Sequence, residues 1–200
     1  MFERFLSVFT PDDSTSVAVP AVATRTAWLE AAGGSSFDGG LYRVHTTESA
    51  HASDELVRAA FPEFAGRFAC FGYDWLGRQL AADSVRGERH DPEIVLLEPG
   101  TGEVLEIPVP FSRFHDEELV DYSEEVLARS FFGEWLASGG EALALSECVG
   151  YQLPLFLGGQ DATANLEISD LDVYWTLMGQ LRVRTKGLPA GTLIRGVEIG

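Results

Sequence analysis

The chain has 200 residues, of which 46% are apolar, 11% aromatic and 22% charged, a composition that can bury a sizeable core and argues against disorder or a disulfide-stapled miniprotein. Against 31 Asp and Glu stand 14 Lys and Arg, leaving a formal net charge of -17, which repels phosphate backbones and anionic lipid surfaces and argues against direct binding to nucleic acid or membrane. No apolar run is long enough to span a bilayer and the N-terminus lacks a secretory leader's basic start and cleavage site, so the expected location is the cytoplasm.

In chain order, Phe2 to Phe9 reads as a short amphipathic segment, followed by a Ser/Thr/Pro stretch, a helix around residues 24–32 and a Gly/Ser loop over 33–40. Residues 1–40 are expected to form a helical cap or extension on an α+β domain of residues 41–200. The patch of Phe2, Phe5 and Phe9 could dock on this core or on a second copy. Residues 41–45 look like a short strand, and Ser53 is placed to cap a helix that runs to Phe61, before Pro62. Strands over 67–73 and 78–85 are joined by Asp74-Trp75-Leu76-Gly77, and strands over 93–98 and 104–109 flank Pro99-Gly100-Thr101-Gly102. Ile94 to Leu97 is apolar on both faces, which places it centrally in a covered sheet. Leu119, Tyr122, Val126, Leu127, Phe131 and Trp135 repeat at spacings of three and four and predict one helix over about 117–137. A last helix opens at Ser169, with Asp172 as its capping-box acid, and runs to about Arg184; a final strand is expected over 192–199. The fold class is α+β, a mostly antiparallel or mixed sheet packed by helices.

No local motif supplies catalysis: there is no Gly-x-Ser-x-Gly, His-Glu-x-x-His, Walker lysine or Cys-x-x-Cys. Gly100-Thr101-Gly102 and Gly158-Gly159 read as turns. His115-Asp116-Glu117-Glu118 holds the side chains a hard cation needs, but neighbours on a helix diverge, so it reads as a solvated helix start. His45, His51 and His90 are isolated, and Cys70 and Cys148 read as reduced, buried thiols; nothing singles out a Cys–His nucleophilic pair. Neither a cofactor nor a metal is expected, and the chain does not read as an enzyme. What remains is surface chemistry. Asp116, Glu117, Asp121, Glu124 and Glu125 form an acidic helix face, and Trp75 beside Asp74 at a strand end pairs an aromatic ring with an acid, as a hot spot for an Arg- or Lys-rich partner does. Tyr174-Trp175, beside Asp170 and Asp172, has the same character, although large aromatic residues are mostly core.

Several segments together carry a family resemblance: Gly40-Leu-Tyr-Arg-Val-His45, Cys70-Phe-Gly-Tyr-Asp-Trp-Leu-Gly-Arg78, Glu98-Pro-Gly-Thr-Gly-Glu103 and, above all, Cys148-Val-Gly-Tyr-Gln-Leu-Pro-Leu-Phe-Leu-Gly-Gly-Gln-Asp161 with Asn165-Leu-Glu167 and Tyr174-Trp175. From about residue 40 onward the sequence resembles bacterial immunity proteins of the type VI secretion DNase-immunity family and the SUKH superfamily. The resemblance implies a SUKH-like α+β domain that binds and blocks a cognate toxin, usually a nuclease, and it carries no catalytic residues. An immunity protein that covers a nuclease's cationic surface should mimic the charge of DNA, which the face from Asp116 to Glu125 would do. The alternative is a housekeeping or regulatory protein-binding module of the same fold.

Overall fold

A computed structural model describes residues 2–13 and 17–188. The short helices α1 (Glu3–Val8) and α2 (Arg25–Ala32) come first, α2 opened by the Thr24 hydroxyl accepting the Ala27 N–H. The small strands β1 (Ser36–Phe37) and β2 (Tyr42–Val44) lead into α3 (Thr47–Ala60). A meander follows: β3 (Phe68–Asp74), β4 (Gln79–Glu88), β5 (Asp91–Glu98) and β6 (Glu103–Pro110). The chain then passes through α4 (Phe111–Arg113), a π-helical turn over Phe114–Glu118, α5 (Leu119–Asp121), α6 (Ser123–Leu127) and α7 (Arg129–Ala137). It ends with β7 (Glu147–Tyr151), β8 (Leu166–Asp170) and α8 (Leu171–Thr185).

The six strands β1 to β6 lie side by side in chain order, every neighbour antiparallel, while β7 and β8 pair separately. This is an α+β architecture with helices on both faces of the main sheet. Successive residues of a strand point to opposite faces, and β5 divides accordingly. Ile94 and Leu96 join a core with α1, α2 and the segments after β6, whereas Val95 and Leu97 join a second core with α3 and α8. The two-sided apolar run therefore reflects two helical layers, and all four side chains are buried. A bulge between Cys70 and Gly72 lets Phe71 face the first core while Cys70 and Tyr73 face the second. Gly72 is required there, because a Cβ would lie 2.8 Å from the Tyr42 ring and 2.9 Å from the Arg43 carbonyl.

Several boundaries differ from those expected. The helix placed after Ser53 begins about two turns earlier, because Thr46 and Ser49 form a reciprocal capping box; Ser53 is an interior position of α3. The long helix expected over 117–137 is broken. The π turn shifts its phase, Tyr122 leaves helical geometry at φ -127°, ψ 35°, and Ala128 turns left-handed at φ 49° between α6 and α7. The last helix starts at Leu171, with Asp170 as its N-cap, because Ser169 is still paired with Cys148 in β8. The strand expected over 192–199 lies outside the described residues. Phe2, Phe5 and Phe9, whose docking the sequence left open, insert into the first core with Trp28 and Tyr42.

Candidate functional site

The expected acidic surface is built on the segment that follows β6. Phe111, Phe114, His115 and Leu119 are spaced for one helical face and all four are buried, so the intervening acids turn outward. Asp116 accepts the Phe5 N–H at 3.0 Å, and Arg4 donates both to the Asp116 carbonyl at 3.0 Å and to the Asp121 carboxylate at 2.7 Å. Glu117 pairs with Arg113 at 2.8 Å, and Glu124 accepts the Ser130 N–H at 3.0 Å and its hydroxyl at 2.8 Å. The neighbouring guanidinium groups hold the Glu117 and Asp121 carboxyls below the usual range. Burial pushes the half-buried Glu118 upward, and Glu125 and Asp121 add repulsion. Glu125 is exposed, with no hydrogen bond or ion pair to its side chain among the described residues. Asp116, Glu117, Asp121, Glu124 and Glu125 thus lie outside the core within ten residues of chain, an acidic ridge that Arg4 and Arg113 partly neutralise.

In the middle of this ridge stands Tyr122, 53% exposed. Its three-and-four spacing assigned it to the core, but the break at that residue swings it to solvent. A half-exposed tyrosine flanked in sequence by Asp121, Glu124 and Glu125 has the composition of an interface anchor. Neither Gly nor Pro marks the break, so the sequence carried no local signal for it.

Asp74 and Trp75, expected on the partner-facing surface, are both completely buried. Asp74 accepts N–H groups from Leu76 at 3.1 Å and Arg78 at 2.9 Å, and the Arg78 Nε at 2.6 Å. Burial pushes its carboxyl up and Arg78 opposes the shift. Arg78 also donates to the Val126 carbonyl at 2.9 Å, and the Trp75 Nε1–H to the Leu127 carbonyl at 2.9 Å. Those carbonyls end α6 and have no partner within their own helix. The β3–β4 turn thus holds the acidic ridge from beneath and does not itself present side chains to a partner. Glu98 lies 3.5 Å from Arg78, and burial pushes its carboxyl up to about 7.

The other candidates for chemistry do not converge. His115 turns inward while Asp116 and Glu117 turn outward, which separates the quartet considered for a cation. Its Nε2 lies 3.0 Å from the Tyr42 hydroxyl among Phe2, Phe5 and Trp28, and burial lowers it to about 3. Among the described residues no three His, Cys, Asp or Glu side chains are placed to hold a metal ion. Both cysteines are free and buried, and burial raises Cys148 to about 12, far from a thiolate nucleophile.

A second site was not legible in the sequence. A cleft of about 280 Å³ opens between the starts of α3 and α8, lined by His45, Ser49, Ser53, Tyr73, Asp170 and Asp172 among others. Ser49 Oγ lies 3.1 Å from His45 Nδ1, and His45 Nε2 lies 2.7 Å from Gln79 Oε1. The order Ser–His–Gln has the form of a nucleophile, base and orienting group, but its electrostatics oppose that use. Burial, aided by Arg25 and Arg43, lowers His45 to about 4, so an imidazolium would be unstable where a general base must form one. Ser49 is moreover engaged in the capping box of α3. Its signal was His45 immediately before the Thr46-x-x-Ser49 box.

The whole fold is similar to the crystal structure of Atu4351 from Agrobacterium tumefaciens, with a TM-score of 0.61 and 18% identity, covering 90% of this chain and 89% of that one. No curated protein matches the sequence. Among the described residues no helix is long and apolar enough to cross a membrane. Of the two groups the sequence resembles, the type VI one is matched: residues 110–182, which contain the acidic ridge and make up less than half of the chain, are similar to the family described as T6SS immunity protein Tdi1, C-terminal.

Proposed function

We propose that this chain is an immunity protein that binds a cognate type VI secretion toxin in the cytoplasm and blocks it without catalysis. The observation that carries the reading is the family match over residues 110–182, and the ridge from Asp116 to Glu125 lies inside that segment. The bound surface of the toxin is basic, as a nuclease's nucleic-acid groove is, and the ridge stands in for the phosphates. A net charge of -17 draws such a partner in over a Debye length of about 8 Å at physiological salt. Tyr122 supplies the apolar anchor, since rim charges act more on association rate than on affinity.

The test is co-expression with the protein encoded beside it, scored by growth rescue and pull-down, followed by two variants chosen from the geometry. Asp121 is avoided, because its reversal would release Arg4 and α1. Glu125→Lys should slow association about threefold to tenfold and flatten its salt dependence. Tyr122→Ala should weaken the complex by about 2 kcal/mol, mainly through faster dissociation. Unchanged kinetics in both variants remove the ridge from the interface. Capture of a partner without rescue from any toxin would favour the regulatory binding module.

A further inference from the structure

A groove of about 250 Å³ runs between α3 and α8, beyond the cleft at their starts, with Leu56, Ala59 and Ala60 on one wall and Trp175, Gly179 and Val183 on the other. The two helices approach this closely because Gly179 has no side chain: a Cβ there would lie 2.8 Å from that of Ala60. The Trp175 Nε1–H is spent on the Gly77 carbonyl at 2.7 Å, so Trp175 has no free donor to offer the groove. Ala59 and Val183 are exposed. Apolar area left in water forgoes the free energy that covering it would bring.

Two features say what covers it. The first is charge. No Asp or Glu lines the groove and its one charged side chain is Arg184, on a chain with 31 Asp and Glu against 14 Lys and Arg. A basic partner finds nothing here to attract it, whereas a second acidic molecule meets no carboxylate. The second is Gln180, which lines the same groove and whose Oε1 is buried with no hydrogen-bond partner among the described residues. An acceptor left in that state is costly, and the amide turns readily about its last side-chain bond to reach a donor outside. A primary amide carries donors and an acceptor together, so it is complementary to a copy of itself, as a residue on a two-fold axis must be.

We propose that two copies of this chain associate over this groove, about a two-fold axis on which their Gln180 amides bond to one another while the apolar walls close together. The proposal goes beyond the immunity reading and does not depend on it. α3 and α8 pack on the second core, whereas Phe111, Phe114, Leu119 and Val126 beneath the acidic ridge belong to the first, across the sheet. The pair therefore leaves both ridges open, one for each copy.

Sedimentation velocity of the whole protein from micromolar to submillimolar concentration should show a monomer passing into a dimer, at lower concentration as salt is raised, because salt screens the repulsion between two copies of net charge -17. Ala59→Glu, a change at an exposed position that puts a carboxylate into the groove, should leave a monomer with unchanged circular dichroism. Gln180→Glu and Gln180→Lys should each weaken the dimer about tenfold by setting like charges opposite one another, and an equimolar mixture of the two should restore it as a heterodimer. A monomer at every concentration, a dimer that Ala59→Glu leaves intact, or Glu and Lys variants that do not pair when mixed would each overturn the proposal, whether or not the protein rescues a cell from its toxin.

Discussion

Truncating Phe5 to alanine tests whether the N-terminal segment is part of the core or an attachment to it. A helix of six residues such as α1 does not hold its shape alone, so its order must come from what it buries. Phe5 is completely buried, with Phe9, Phe37 and His115 rings centred 4.6, 5.0 and 5.5 Å away and Trp28 and Tyr42 each at 5.8 Å. Removing a ring so enclosed costs about 3 to 5 kcal/mol, as lost transfer energy plus the cavity left behind. At an unfolding entropy of about 2.1 cal/mol/K per residue, a chain of 200 residues should lose about 7 to 12 °C in Tm. Urea unfolding followed by tryptophan fluorescence and thermal unfolding followed by circular dichroism measure both quantities. A single transition at a lower midpoint with unchanged slope is expected. A loss below about 1 kcal/mol, or an early step at Trp28 while the sheet melts at the original midpoint, would refute one shared core.

Acidity should weaken the fold before the exposed carboxylates titrate. His45 and His115 are lowered to about 4 and 3, so below about pH 6.5 the unfolded chain takes up protons that the fold excludes. Each then removes about 1.4 kcal/mol per pH unit as the pH falls. Glu98, raised to about 7, acts oppositely: its contribution is present below its ordinary pKa and is lost as the pH rises through 7. With two histidines against one glutamate, stability should fall by about 3 kcal/mol from pH 6.5 to 4.5, and Glu98→Gln should steepen the fall; a flat denaturation midpoint over that window rules this out. Ala128 holds a left-handed conformation at φ 49°, which glycine adopts without strain. Ala128→Gly should therefore raise stability by about 0.5 to 1 kcal/mol, read as a higher Tm, and a lower Tm would show that the methyl contact outweighs the strain.

Where one residue type dictates one conformation, the sequence was sufficient. The two-sided apolar run of β5, the Asp74–Gly77 and Pro99–Gly102 turns and the buried thiols follow from local chemistry that the tertiary structure does not override. It failed where geometry is imposed from a distance. The break at Tyr122 follows a π turn that shifts the helical phase, yet Phe111, Phe114, Leu119, Val126 and Leu127 all reach the same core, and no single residue type marks the break. Ala128 is likewise unmarked, a left-handed residue that is not glycine. Asp74 and Trp75 misled for a related reason. An acid beside a tryptophan at a strand end has the same composition whether it faces a partner or the interior, and only the placement of Arg78 and the α6 carbonyls decides which. The cleft was invisible because His45, Tyr73 and Asp172 come from three elements whose meeting depends on how α3 and α8 pack.

The burial of Asp74 and Trp75 strengthens the case for the ridge above them. Charged side chains on a mobile segment lose conformational freedom on binding, at about 0.5 to 1.5 kcal/mol for each one immobilised. Here Arg4 holds the ridge from the N-terminal side through Asp116 and Asp121, and Arg78 and Trp75 hold the end of α6 from below. The carboxylates themselves are fixed before any partner arrives, that of Asp116 by the Phe5 N–H, that of Asp121 by Arg4 and that of Glu124 by Ser130. Glu125 and Tyr122, which no internal bond restrains, remain free to adjust to it. If the ridge is the surface that meets the toxin, as proposed, such a surface keeps more of its electrostatic attraction as affinity, and loss of the sheet turn should weaken the toxin's hold without removing one exposed charge.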